Sequence, residues 1–107
     1  MDRSPHPLSL AAALKLPLPE GRRSAEAFVD GDLEIRLYAP EGHDAQTPHD
    51  RDEIYIVARG SGNFRVGDRV TAFTPGALLF AAAHDVHRFE DFSDDLAVWV
   101  VFYGPQK

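Results

Sequence analysis

The sequence contains no cysteine, which removes disulfide frameworks, thiolate zinc sites and cysteine nucleophiles together. Any metal must then be held by nitrogen and oxygen. Positive charge is also scarce, with 11 Lys and Arg against 17 Asp and Glu and a formal net charge of -6. Nucleic-acid binders gain most of their affinity from clustered basic residues, so no nucleic acid is expected as a partner. A long apolar run is missing too. The longest uncharged stretch, Val70 to Ala83, is interrupted by Pro75 and Gly76 and falls short of the roughly 20 residues that a membrane span requires. No membrane association is expected. Asp2 and two prolines precede the short apolar stretch Leu8 to Leu14, without the basic start and longer apolar core of a secretory signal, and the expected location is cytoplasmic.

What the chain does have is turn chemistry. Eight glycines and eight prolines among 107 residues favour many short strands over long helices, and so an all-β fold. The length suits one domain that buries roughly two-thirds of its unfolded surface. No repeat and no second compositional regime divides it. The expected organisation is an arm over residues 1–23 and a β-barrel domain over 24–107.

Ser9 is placed to cap a short helix from Leu10 to Lys15, stopped by Pro17. The region Leu16 to Arg23 reads as an irregular connection. Asp30-Gly31 then separates Ala25–Val29 from Leu33–Tyr38 and reads as a two-residue hairpin turn. In the second arm Leu33, Ile35 and Leu37 alternate with Glu34, Arg36 and Tyr38, the period of a strand with one buried face. Ile54-Tyr55-Ile56-Val57 is β-branched or aromatic throughout, as expected of a strand covered on both faces. Gly67-Asp68 marks a second tight hairpin, Pro75-Gly76 another turn, Ala77 to Ala82 a short buried strand, and Leu96 to Tyr103 a long closing strand. At least seven short strands suit a sandwich or small barrel.

Two of the five histidines fall where strand periodicity aims them at one interior. Thr47, His49 and Glu53 are spaced by even numbers, so a continuous extended segment would put all three on one face. His87 opens a later strand just after a turn. Two imidazoles and a carboxylate brought together by barrel closure form a nitrogen and oxygen site for a divalent ion. An inward Glu53 ahead of so apolar a strand is costly unless it meets a cation.

From about Leu33 onward the sequence resembles the cupin superfamily. Thr47-Pro48-His49-Asp50-Arg51-Asp52-Glu53, with Gly60 following, fits that family's first motif, in which two histidines one residue apart precede a glutamate and a glycine. Thr47 stands in place of the first histidine. The second motif is matched by Gly76 and His87, with Ala82, His84 and Asp91 where proline, glycine and asparagine are usual. The resemblance implies a double-stranded β-helix, or jelly-roll barrel. It also implies that His49, Glu53 and His87 bind a divalent transition metal, iron, manganese, nickel or zinc, with open positions for water, dioxygen or substrate. These three residues are then the candidate catalytic set as well. A metal-dependent dioxygenase or isomerase acting on a small organic molecule is the expected function. The alternative is a non-catalytic cupin that binds a small ligand.

Gln46 or His43 is the alternative source of a fourth ligand if Pro48 introduces a bulge, and His84 is a lesser candidate, at a turn near the cavity mouth. Tyr38, Tyr55 and Arg65 are candidates to face the cavity, with core or surface roles as the competing reading. Asp91, Asp94 and Asp95 lack the spacing of a calcium loop and read as a solvated turn. Arg22-Arg23 also reads as a solvated turn rather than a phosphate site. Trp99, Phe102 and Tyr103 are expected in the core or at an interface. The alanine-rich arm and an exposed barrel edge make a homodimer the expected assembly.

Overall fold

The computed structural model describes residues 7–44 and 47–107. Among them the chain forms one short helix, α1 (Leu10–Ala13), and eight strands: β1 (Ala25–Asp30), β2 (Leu33–Tyr38), β3 (Asp52–Arg59), β4 (Gly62–Val66), β5 (Arg69–Phe73), β6 (Leu78–Ala81), β7 (His87–Glu90) and β8 (Ala97–Tyr103). They make a five-stranded sheet in the order β1-β2-β8-β3-β6 and a three-stranded sheet in the order β5-β4-β7. Every pairing is antiparallel. The sheets close on one core as the expected all-β jelly-roll barrel.

Turn chemistry sets the registers, with one correction. Asp30 pairs with Leu33, so the β1–β2 turn is Gly31-Asp32 rather than Asp30-Gly31. Gly31 alone of the two has positive φ, 61°, the requirement of a turn with glycine first. The β4–β5 turn uses the same dipeptide, Gly67-Asp68, between Val66 and Arg69. Gly60, the glycine of the first motif, combines φ of 91° with a close approach: a Cβ there would lie 2.7 Å from the Leu96 Cα. Only glycine lets the end of β3 pass the start of β8.

The inner face is identified by cross-strand pairing, because directly paired residues share a side. Val98, Val100 and Phe102 of β8 belong to the buried core, and they pair with Tyr38, Arg36 and Glu34 of β2 and with Val57, Tyr55 and Glu53 of β3. This reverses the expectation for β2. Its polar set lines the barrel, while Leu33, Ile35 and Leu37 lie on the outer face. Two further expectations change for the same reason. β3 is covered on one face, with Ile56 39% exposed, and β6 is not a buried strand, since Leu78 and Phe80 are 65% and 49% exposed. Among the described residues nothing covers Ile56, Leu78 and Phe80 on that side of the sheet, whereas the arm lies beside Leu37, which is buried.

The three-stranded sheet supplies Phe64 and Phe89, and with Tyr55 and Phe73 they fill the barrel as an aromatic cluster. The Phe89 ring stands nearly perpendicular to Tyr55 at 5.1 Å and to Phe73 at 5.6 Å, the edge-to-face geometry that aromatic quadrupoles favour. Burying each such side chain contributes about 1.5–3 kcal/mol. Helix α1 begins as expected, with the Ser9 hydroxyl accepting from the Ala12 amide, but it ends at Ala13 rather than Lys15 because the approach to Pro17 tightens its last turn. The arm buries Ala13 and lines one depression with Ala25 and Leu37.

Candidate metal centre

Glu53 is the second residue of β3, and the pleat turns its side chain inward beside Phe102. His87 is the first residue of β7 and faces inward beside Val66. The turn between β6 and β7 brings the two together. Its Ala83 amide donates to the Asp52 carboxylate at 2.8 Å, and the His84 amide donates to the His49 carbonyl at 2.6 Å. The turn is thus pinned to the segment entering β3. His84 has positive φ, 70°, and its place is structural: it shapes the turn that holds His49.

Thr47 and His49 do not lie on a continuous strand with Glu53, because β3 starts only at Asp52. A loop, not strand alternation, carries His49 to the site. Its Nδ1 lies 3.1 Å from Glu53 Oε1, and His87 Nε2 lies 2.8 Å from the same oxygen. The Tyr55 hydroxyl is 3.0 Å from His87 Nε2. His87 Nδ1 lies 2.8 Å from the Asp85 carbonyl, which can only accept, so Nδ1 carries a proton; Nε2 donates to the Glu53 carboxylate while the imidazole is charged and would offer its lone pair to an ion once that proton is lost. The Glu53 and His87 side chains are each 1% exposed and His49 is 34% exposed. The open side of the cluster is therefore the His49 side.

Burial pushes the Glu53 carboxyl up, but hydrogen bonds and charge from His49 and His87 outweigh it and hold the pKa below the usual value. His87 is the mirror case. Burial pulls its pKa down, while the Glu53 carboxylate, the Asp85 carbonyl and the charge of Asp44 together raise it. Each group stabilises the charged form of the other.

These residues fit a divalent ion. One ligand atom from each of His49, Glu53 and His87 lies within 4.8 Å of the others. Donors about 2.1 Å from an ion and at right angles stand about 3.0 Å apart, close to the two contacts with Glu53. Glu53 Oε2 is buried without a hydrogen-bond partner among the described residues, a costly arrangement that a cation would relieve. His43 and His84 do not join this group, and Gln46 lies outside the described residues.

A cavity of about 240 Å³ reaches the cluster, lined by Tyr38, Thr47, His49, Glu53, Val100 and Phe102 and by the arm residues Gly21 to Ser24. Of the other candidates, Tyr38 thus lines the cavity, Tyr55 is fully buried behind the site, and Arg65 pairs with Glu90 on β7 at 3.0 Å, away from it. Arg22 and Arg23, read from the sequence as a solvated turn, stand at the cavity wall. Arg36 was missed as well. It is 2% exposed and holds Ser24 through its hydroxyl and carbonyl at 2.7 and 2.6 Å, fixing the arm over the cavity. The inversion of β2 was the only signal for it, and that needs the pairing with β8.

Comparison with known proteins agrees with this architecture. The family model for the Cupin domain matches residues 35–103. A Streptomyces coelicolor protein of uncharacterized function is 36% identical over 76 residues, spanning 69% of this chain and 72% of that protein. A cupin-2 domain containing protein from Shewanella frigidimarina superposes with a TM-score of 0.66 at 16% identity, over 86% of this chain and 87% of its own. A cupin-2 domain from Rhodospirillum rubrum gives 0.65 at 21%, over 78% of this chain and 60% of that longer one. Likeness at such identities speaks to fold and leaves chemistry to the site. The domain match, which takes in well over half of the chain, carries the conclusion that this protein belongs to the cupin superfamily.

Proposed function

We propose that this cupin is a metal-dependent enzyme acting on a small organic molecule, with His49, Glu53 and His87 as the ligands of one divalent transition metal. The observation that carries the reading is the convergence of two imidazoles and a buried, half-satisfied carboxylate at the inner end of a cavity. Iron, manganese, nickel and zinc all accept such a donor set. When bound, the ion supplies Lewis acidity or a site for dioxygen, which suits isomerase or dioxygenase chemistry.

The residues of the chain do the rest. His87, locked by Asp85, offers Nε2 in the correct tautomer, and His49 closes the ligand set from the exposed side. Thr47 lines the cavity where the first motif ordinarily supplies another histidine, which leaves room for substrate. Val100 and Phe102 exclude water from one wall, and the Tyr55 hydroxyl holds a proton within reach of His87 Nε2. Thr47 also favours the second reading, a cupin that binds a small ligand without turning it over, because a three-ligand site has less hold on the metal.

Elemental analysis of purified protein tests the metal, and a substrate screen separates the two readings. Turnover of a hit that is abolished in His87→Ala supports the enzyme; binding without turnover supports the module. Occupancy below about a tenth of an equivalent, before and after addition of each of the four metals, overturns the enzyme reading.

A further inference from the structure

The mouth of the metal cavity has its own chemistry. Arg22 Nη2 lies 3.8 Å from Glu34 Oε2, and that same glutamate also serves Arg36 at 2.7 Å and Arg51 at 3.4 Å. One carboxylate is shared among three guanidinium groups. Arg51 Nη2 remains buried without a partner among the described residues. Arg23 stands close enough to Tyr38 for its charge to act on the phenol: burial and Asp44 raise the Tyr38 pKa, and Arg23 is the influence that lowers it. Four arginines thus gather around this end of the barrel against Glu34, Asp44 and a Glu26 that is 60% exposed and 4.0 Å from Arg36. In a chain of net charge -6, four guanidinium groups against these three carboxylates and Glu53 leave this end near neutral, and a bound divalent ion would make it positive. A concave site with positive walls concentrates anions.

We propose that the cavity takes a small organic oxyanion, a carboxylate or a phosphate ester, whose charged end meets Arg22 and Arg23 while its apolar body lies on Val100 and Phe102. Guanidinium groups match either oxyanion through paired N–H donors. The proposal rests on the metal-dependent reading for the second anchor of the ligand, but the arginines act whether or not an ion is present.

Calorimetry with succinate and phenyl phosphate, and with succinamide as the neutral counterpart, tests it on manganese-loaded and metal-free protein. Either oxyanion should bind the loaded protein at least about tenfold more tightly than succinamide. The double variant Arg22→Gln, Arg23→Gln should lose at least about tenfold of that affinity while taking up manganese with unchanged stoichiometry. Equal binding of succinamide, or full affinity in the double variant, overturns the proposal, as does the absence of oxyanion binding in both forms. If no manganese binds but the metal-free chain still takes an oxyanion through the arginines, the metal reading falls and this inference stands.

Discussion

On its inner face the five-stranded sheet carries Glu34, Arg36, Tyr38, Glu53 and Tyr55 beside Val98, Val100 and Phe102. On its outer face the same strands carry Ile35, Ile54, Ile56, Trp99 and Val101, joined by Leu78 and Phe80 from β6. The enclosed face is the more polar, and the outer face, covered by the arm only beside Leu37, is the more apolar. Enclosure here serves chemistry as well as stability: the inner polar groups are held by one another, Arg36 by Ser24 and Glu34, and Glu53 by two histidines. A buried polar network is costly where a member is left unsatisfied, and Glu53 Oε2 is the member here that a cation would satisfy. The outer face carries no such network and leaves Leu78 and Phe80 exposed.

Charge placed on either face probes this contrast most strongly. Val98→Asp puts an unpaired carboxylate at a position with 0% exposure and should cost at least about 4 kcal/mol, leaving the chain largely unfolded. Phe80→Asp on the outer face should change the stability of the monomer by no more than about 0.5 kcal/mol. Urea denaturation at low protein concentration measures both. Comparable losses from the two would show that the outer face is as tightly packed as the inner one.

The next largest effect separates ligand from scaffold within the inner network. His87→Ala should weaken metal binding by at least about 100-fold, the upper end of what loss of a mere supporting partner costs. His84→Asn keeps a residue that tolerates positive φ and should leave affinity within about twofold. Competition with a coloured chelator reads both. A large loss in His84→Asn would make His84 a ligand and reopen the assignment.

Much of this was legible in the residues. The glycines and paired turn dipeptides pointed to at least seven of the eight strands, and the resemblance of His49, Glu53, Gly60, Gly76 and His87 to the cupin motifs implied the jelly-roll barrel and the three converging side chains. The face of β2 was not legible, because alternation reports which residues differ and not which side closes over the core. Only the pairing of Arg36 with Val100 decides that. The turn at Gly31-Asp32 was displaced by one residue because Asp30 continues the ladder. The arginines at the mouth were hidden for a third reason. Gly21 to Ser24 lies in an irregular segment, and no local periodicity says that it folds back over the cavity.

The inner network should also respond to pH with a sign that the metal reverses. In the metal-free chain the raised pKa of His87 stabilises the fold fully below the ordinary histidine value of 6.5, and this is lost as pH rises through the raised value. The lowered pKa of Glu53 stabilises the fold above 4.5 and is lost as pH falls through the lowered value. Metal-free stability should therefore be greatest between these limits and decline above them, by at most about 1.4 kcal/mol per pH unit for each proton. With metal bound, protons compete for the His87 lone pair, so the added stability should grow as pH rises over the same range. Denaturation curves at several pH values, with and without zinc, read the two slopes. Slopes of the same sign would remove His87 Nε2 from the ligand set.

The smallest effect concerns the group behind the site. With His87 Nδ1–H directed at the Asp85 carbonyl, the Tyr55 hydroxyl donates to Nε2 whenever the imidazole is neutral, and so competes with a metal for the same lone pair. Tyr55→Phe removes that competition while keeping the ring against Phe64 at 5.5 Å and Phe89 at 5.1 Å. Metal affinity should then rise by about threefold, within the worth of one neutral hydrogen bond, whereas Ile56→Val on the outer face of the same strand should leave it unchanged. A fall of about tenfold in Tyr55→Phe would mean instead that the hydroxyl supports the bound ion from behind, as outer partners of metal ligands do. The direction of this one change therefore decides whether Tyr55 guards the empty site or serves the filled one.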